Sequence, residues 1–225
     1  MTAGAGFGRF WREERMECEV PTRSEVLFAG ARDGDGDQLG ELLQKYSGYL
    51  KLLAQVQLEK QLRGRVSPSD VVQETLMEAH RDFEQFRGTS QAEFAGWLRR
   101  ILVHTLARLV EYHVLAAKRD VRREIALEDM SASLERSTIR LGAILAAPGT
   151  SPSSAVEHHE HLLALADALA ALRPEHGEVI RLRHLEGLPF AQVAERLQRT
   201  EGAVRMLWLR AIEQLRRQLA KRDLL

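Results

Sequence analysis

One cysteine, Cys18, among 225 residues excludes an internal disulfide and any zinc site built from several thiolates, and it fits a reducing, cytoplasmic setting. No run of roughly eighteen apolar residues occurs, so no membrane insertion is expected. The N-terminus lacks the apolar core of a secretory signal. Six prolines and almost no alternating Val, Ile and Thr leave little from which to build strands. Gly-rich phosphate loops, a nucleophile elbow and paired carboxylates are missing too, which argues against an enzyme and against a bound cofactor.

Net charge is also absent: 32 Lys and Arg balance 32 Asp and Glu. Zero is a poor fit to a nucleic-acid binder until it is divided along the chain. Residues 95–123 hold seven basic side chains against Glu111 and Asp120, a net of +5. Residues 189–225 hold eight against four acids, a net of +4. Two basic blocks separated by acidic sequence suggest two phosphate-facing surfaces.

What the chain does have is apolar residues at helical spacing along most of its length, which predicts an all-α protein. Two small helical domains joined by a flexible linker are expected. Residues 1–23, glycine-rich and then charged, read as disordered; residues 24–124 and 158–225 read as domains. Residues 125–157, with Ser131, Ser133, Ser137, Pro148, Gly149, Ser151 and Pro152, have the composition of the linker between them. Within the first domain the pattern predicts helices over 25–32, 38–62, 67–86 and 90–113. Ser67 is the cap of the third, Pro68 its first residue, and Phe94 and Trp97 lie on the apolar stripe of the fourth.

The C-terminal domain ends in a helix-turn-helix. Phe190, Val193, Ala194 and Leu197 fall at i, i+3, i+4 and i+7, and Val204 supplies the apolar residue with which a second helix packs back. Thr200 is placed to cap that second helix, with Glu201 in its first turn. Gln198 stands at the turn position where glycine is usual, at a cost of about 1 kcal/mol. A short bracing helix before a longer basic one is the geometry that enters a DNA major groove.

The order of these pieces resembles the sigma-70 family of RNA polymerase initiation factors, in its small extracytoplasmic-function form. Three stretches carry the resemblance: SPSDVVQETLMEAHRDFEQFRG at 67–88, AEFAGWLRRILVHTLARL at 92–109, and residues 165–219 with the helix-turn-helix. KRDVRRE at 118–124 and the SPSDVVQET form look most like the branch abundant in planctomycetes. The resemblance implies partners: core RNA polymerase, met at its clamp and its flap, promoter DNA, and an anti-sigma factor or other regulator. By resemblance, Asp70, Gln73, Glu74 and Glu78 dock on the clamp. Arg99, Arg100, His104, Arg108, Lys118 and Arg119 meet the minus-10 element, with His104 where relatives carry Asn. Arg199, Thr200, Glu201, Arg205, Trp208 and Arg210 meet the minus-35 element. The residues themselves favour Arg205 for a guanine contact, Arg199 and Arg210 for phosphates, and Trp208 for the core rather than the groove.

Other readings have features of their own. His158 and His161 lie three apart in EHHEH, a spacing that suits a metal, but no further ligand cluster is nearby, so no metal site is expected. Serines 67 and 69, where relatives are more acidic, would gain charge by phosphorylation, although a plain cap for Ser67 is the simpler role. A stand-alone helix-turn-helix regulator would make residues 38–123 a sensing or dimerisation module, leaving Arg99, Arg100 and Arg108 unexplained. An adaptor that binds polymerase without reading DNA is the third reading.

Overall fold

The computed structural model describes residues 22–61, 66–114, 121–145 and 155–221, and every regular element among them is helical. Thr22 opens α1 (Arg23–Arg32) with a reciprocal cap: its hydroxyl accepts from the Glu25 amide, and the Glu25 carboxylate accepts from the Thr22 amide. Thr22 and Arg23, within the segment expected to be disordered, are thus a helix cap and a helix start, whereas residues 1–21 lie outside the described residues. The tip between α1 and α2 (Gly36–Gln61) is held by Asp35, whose carboxylate accepts from the Asp37 and Gln38 amides at 3.0 Å each. Leu42, Tyr46, Tyr49, Leu50 and Leu53 of α2 are at most 2% exposed, making it the helix on which α1, α3 (Pro68–Asp82) and α4 (Gln91–Val114) pack.

Ser67 caps α3 and Pro68 occupies its first turn, as the spacing predicts. A single 3₁₀ turn, Phe83–Gln85, ends that helix. Glu93 then starts α4 by accepting from the Thr89 and Ser90 amides at 2.8 and 3.0 Å, bonds that hold its carboxyl below the usual glutamate range. Six aromatic rings close this half: Phe28, Tyr46, Phe83, Phe86, Phe94 and Trp97, with Phe94 fully buried.

The stretch expected to be a linker is helical over most of its length. α5 (Val121–Leu145) lays Met130, Leu134 and Ser137 into the core, each at most 2% exposed. Ser137 is compatible with burial because its hydroxyl donates to the Ser133 carbonyl, and the half-buried Thr138 likewise donates to the Leu134 carbonyl, both at 3.0 Å. Tyr49 Oη meets Thr138 Oγ1 at 2.9 Å, and Gln57 donates to Ser133 Oγ at 2.7 Å. Met130, Leu134 and Ser137 keep a helical period that serine content had disguised. The Ser/Pro-rich part, 146–154, lies outside the described residues.

The C-terminal half comprises α6 (Ala155–Ala170), α7 (Pro174–Ile180), a widened π turn (Arg181–Leu185), α8 (Phe190–Leu197) and α9 (Glu201–Ala220). α6 packs on α2, and α5 packs on the π turn, so one apolar core runs through both halves. Inside the π turn Arg181 is 5% exposed and pairs with Glu178 at 2.6 Å and with Glu186. Gly187 follows at φ +76°, and a Cβ there would stand 2.7 Å from the Arg140 guanidinium, which itself donates to the Leu185 carbonyl at 3.2 Å.

Candidate nucleic-acid interface

α8 and α9 form the expected helix-turn-helix. Val193 and Ala194 are buried at the crossing, as are Val204, Leu207, Ala211, Leu215 and Leu219 along α9. Between the helices Gln198 takes the left-handed conformation, φ 52° and ψ 43°, while the amides of Gln198 and Arg199 close back on the Glu195 and Ala194 carbonyls at 3.2 and 3.0 Å. Thr200 caps α9 by accepting from the Ala203 amide at 3.3 Å. Because only the left-handed backbone at Gln198 is unfavourable there, Gln198→Gly is expected to raise unfolding stability by about 1 kcal/mol, read as a higher urea midpoint. An unchanged or lower midpoint contradicts that account.

On the outer face of α9, Glu201, Arg205 and Arg210 are exposed as expected. Arg205 is not extended into solvent alone. It pairs with Glu201 one turn earlier, its Nε 3.2 Å from Oε1, and its guanidinium carbon lies 4.8 Å from the centre of the Phe190 ring. Arg199 is exposed and pairs with Glu175 at 3.0 Å. Trp208 turns inward, in keeping with the core reading and against its place among the groove contacts. Its indole N–H donates to His184 Nε2 at 2.9 Å, and its ring stacks on that imidazole and meets Phe190 edge-on. Burial, followed by the neighbouring Arg183 charge, pushes the His184 pKa down, which suits a neutral ring whose Nε2 accepts.

Sequence reasoning missed two outward residues. Met206 and Leu209 are both 51% exposed on α9. The signal for them was phase: Val204, Leu207, Ala211 and Leu215 already complete the buried stripe, leaving Met206 and Leu209 as apolar residues off it. Apolar side chains on an exposed helix face are suited to contact with thymine methyl groups.

In the first half, α3 presents Asp70 and Gln73 exposed, Glu74 and Glu78 half-exposed, and Met77, 70% exposed, between them. The four α4 residues expected to share one DNA face do not. Nine residues separate Arg99 from Arg108, about half a turn round a helix at 100° per residue. Arg99 faces α2 and donates to Tyr49 Oη at 3.1 Å, whereas Arg108 crosses to α3, 2.7 Å from Glu74 and 3.3 Å from Glu78. Arg108 thus belongs to the acidic ridge. Arg100 and His104, four apart, remain exposed together. Lys118 and Arg119 lie outside the described residues. So does the side chain of His158, and among the described residues no three His, Cys, Asp or Glu side chains gather as a metal site.

Comparison with known proteins adds to this geometry. The family described as Sigma-70, region 4 matches residues 168–217, which contain α8, the turn and all but the last residues of α9. The ECF RNA polymerase sigma factor BldN of Streptomyces coelicolor is 28% identical over 198 residues, covering 88% of this chain and 66% of that protein. The chain therefore spans just under two thirds of that relative. The ECF RNA polymerase sigma-E factor of Haemophilus influenzae is 32% identical over 146 residues, 65% of this chain and 71% of that protein. A solved structure of an RsbN–BldN complex aligns with 84% of this chain and 96% of its own at 22% identity; its TM-score of 0.29 is too low to bear on shape.

Proposed function

Since this chain belongs to the ECF RNA polymerase sigma factors, we propose that it binds core RNA polymerase and directs it to promoters by meeting a minus-10 and a minus-35 element. The observation that carries this reading is α9 itself. It is a capped, twenty-residue helix braced across α8, with Arg205, Met206, Leu209 and Arg210 directed away from the core, inside the region 4 match. Residues 158–225 are assigned to the minus-35 element. Residues 24–124 are assigned to core docking and the minus-10 element, where Arg100 and His104 supply the outward basic face of α4. The ridge of Asp70, Gln73, Glu74 and Glu78 meets the clamp, with Met77 as the apolar contact at its centre. An anti-sigma partner covering these surfaces is the regulation that family membership favours. The site of action is the cytoplasm, where polymerase and promoter are; among the described residues no helix is long and apolar enough to cross a membrane.

The test is run-off transcription with purified core polymerase on a promoter library. Discrete transcripts are expected only when this protein is added, together with a stable complex between protein and core. Tight binding to promoter duplex by the protein alone, with no effect of core, identifies a stand-alone regulator instead.

A further inference from the structure

Phe190, the first residue of α8, gathers two positive charges. The guanidinium carbons of Arg183 and Arg205 each lie 4.8 Å from the centre of its ring. The ring is itself fixed, because Trp208 meets it edge-on at 5.7 Å and 76° and is in turn stacked on His184. Each arginine has one further tether: Arg183 Nη1 donates to the Leu188 carbonyl at 2.9 Å, and Arg205 pairs with Glu201. Like charges brought to one ring repel each other, and the ring's quadrupole attracts both without neutralising either. A carboxylate in the place of Phe190 would hold the arginines but cancel their charge. An aromatic ring orders them without itself cancelling the charge, and the carboxylate that does meet Arg205, Glu201, is a 45% exposed surface partner that an anion can replace.

We propose that Phe190 is a positioning residue that presents Arg183 and Arg205 together to the sugar-phosphate backbone beside the minus-35 major groove. On this reading Arg205 anchors the helix-turn-helix to phosphate instead of reading guanine, and base choice falls to the residues further out on α9. Arg183, which lies before α8 in the chain, joins the interface. The inference rests on the assignment of α9 to the minus-35 element.

Backbone anchors and base readers leave different marks when they are removed. Removing a phosphate anchor weakens binding evenly over all sequences and flattens its salt dependence, whereas removing a base reader relaxes choice at one position. The experiment uses holoenzyme assembled from core polymerase and the full chain, titrated over a range of salt on duplex promoters varied at each minus-35 base. Phe190→Leu is expected to bind about tenfold more weakly on every variant and to reduce the slope of log K against log salt by about 1 to 2. Phe190→Tyr is expected to restore both. Arg183→Gln is expected to flatten the slope by about 1 in the parent and to change little in the Phe190→Leu background, the non-additivity of a coupled pair. Unaltered affinity for Phe190→Leu overturns the proposal, as does a defect confined to one base, or a lower slope that Phe190→Tyr fails to restore. Thermal unfolding of each variant separates a loosened domain from impaired positioning: additive effects of Arg183→Gln and Phe190→Leu would mean the ring is only structural. Failure of the parent protein to confer promoter binding on core would instead defeat the family-based function, a result readable before any variant is made.

Discussion

Arg181→Ala is expected to cost about 3–5 kcal/mol, lowering the urea midpoint of the C-terminal half far below that of the parent. The side chains involved are nearly sealed from water, 6% exposed for Arg181 and 4% for Glu186. Arg181 also grips Glu178 with two bonds, at 2.6 and 3.0 Å. Without the guanidinium, Glu186 keeps the Arg196 contact at 3.5 Å, from a side chain 43% exposed, as poor compensation for a buried carboxylate. The control is the double variant Arg181→Met, Glu186→Leu. Removing both charges leaves no sealed carboxylate unpaired, since Glu178 is 38% exposed to water, so it should lose much less than the single change. If the single and double variants unfold alike, the pair does not act as a buried unit. Function should follow stability, because Glu186 immediately precedes Gly187 and the approach to α8.

Phe94→Ala is expected to have an effect of similar size on the other half, about 3–5 kcal/mol. Phe94 is fully buried, with five aromatic neighbours whose ring centres lie between 5.1 and 6.0 Å away. Those neighbours come from α1, α2, the 3₁₀ turn with its following residue, and α4, so one truncation opens a gap that no single element can close. Phe94→Leu keeps most of the volume and should lose distinctly less. Thermal unfolding measures the stability, and run-off transcription tests the loosened half in the proposed initiation role. A small loss for Phe94→Ala would show that the cluster collapses around the missing ring.

Much of this was readable from local signals. Ser67 followed by Pro68 marks a helix start regardless of what packs on it, and the Phe190-to-Leu197 stripe marks α8 because both its period and its partner Val204 are close in sequence. Trp97 and Phe94 were legible as core for the same reason. What escaped depends on angle and partner. Arg99 and Arg108 look like one basic face in a linear string, yet nine residues turn them to opposite neighbours. α5 was hidden because serine content resembles a linker, whereas Ser137 bonds within the helix and is buried. The π turn at Arg181–Leu185 adds a residue to one turn and leaves no periodic trace. Nothing in the string announces that Arg181 and Glu186 meet away from water.

α5 has a consequence for reach. Wound up, its 25 residues measure about 37 Å; pulled straight, the same residues extend about 85 Å. Elements named for positions 10 and 35 upstream are separated by about 25 base pairs, again about 85 Å of duplex. The segment is held wound by its bonds to Tyr49, Gln57 and the Leu185 carbonyl and by the burial of Met130 and Leu134. If the two halves meet both elements at once as proposed, extending α5 that far would mean giving up those contacts and the helix's own backbone bonds, so the reach between the halves would depend on how much of this one helix unwinds.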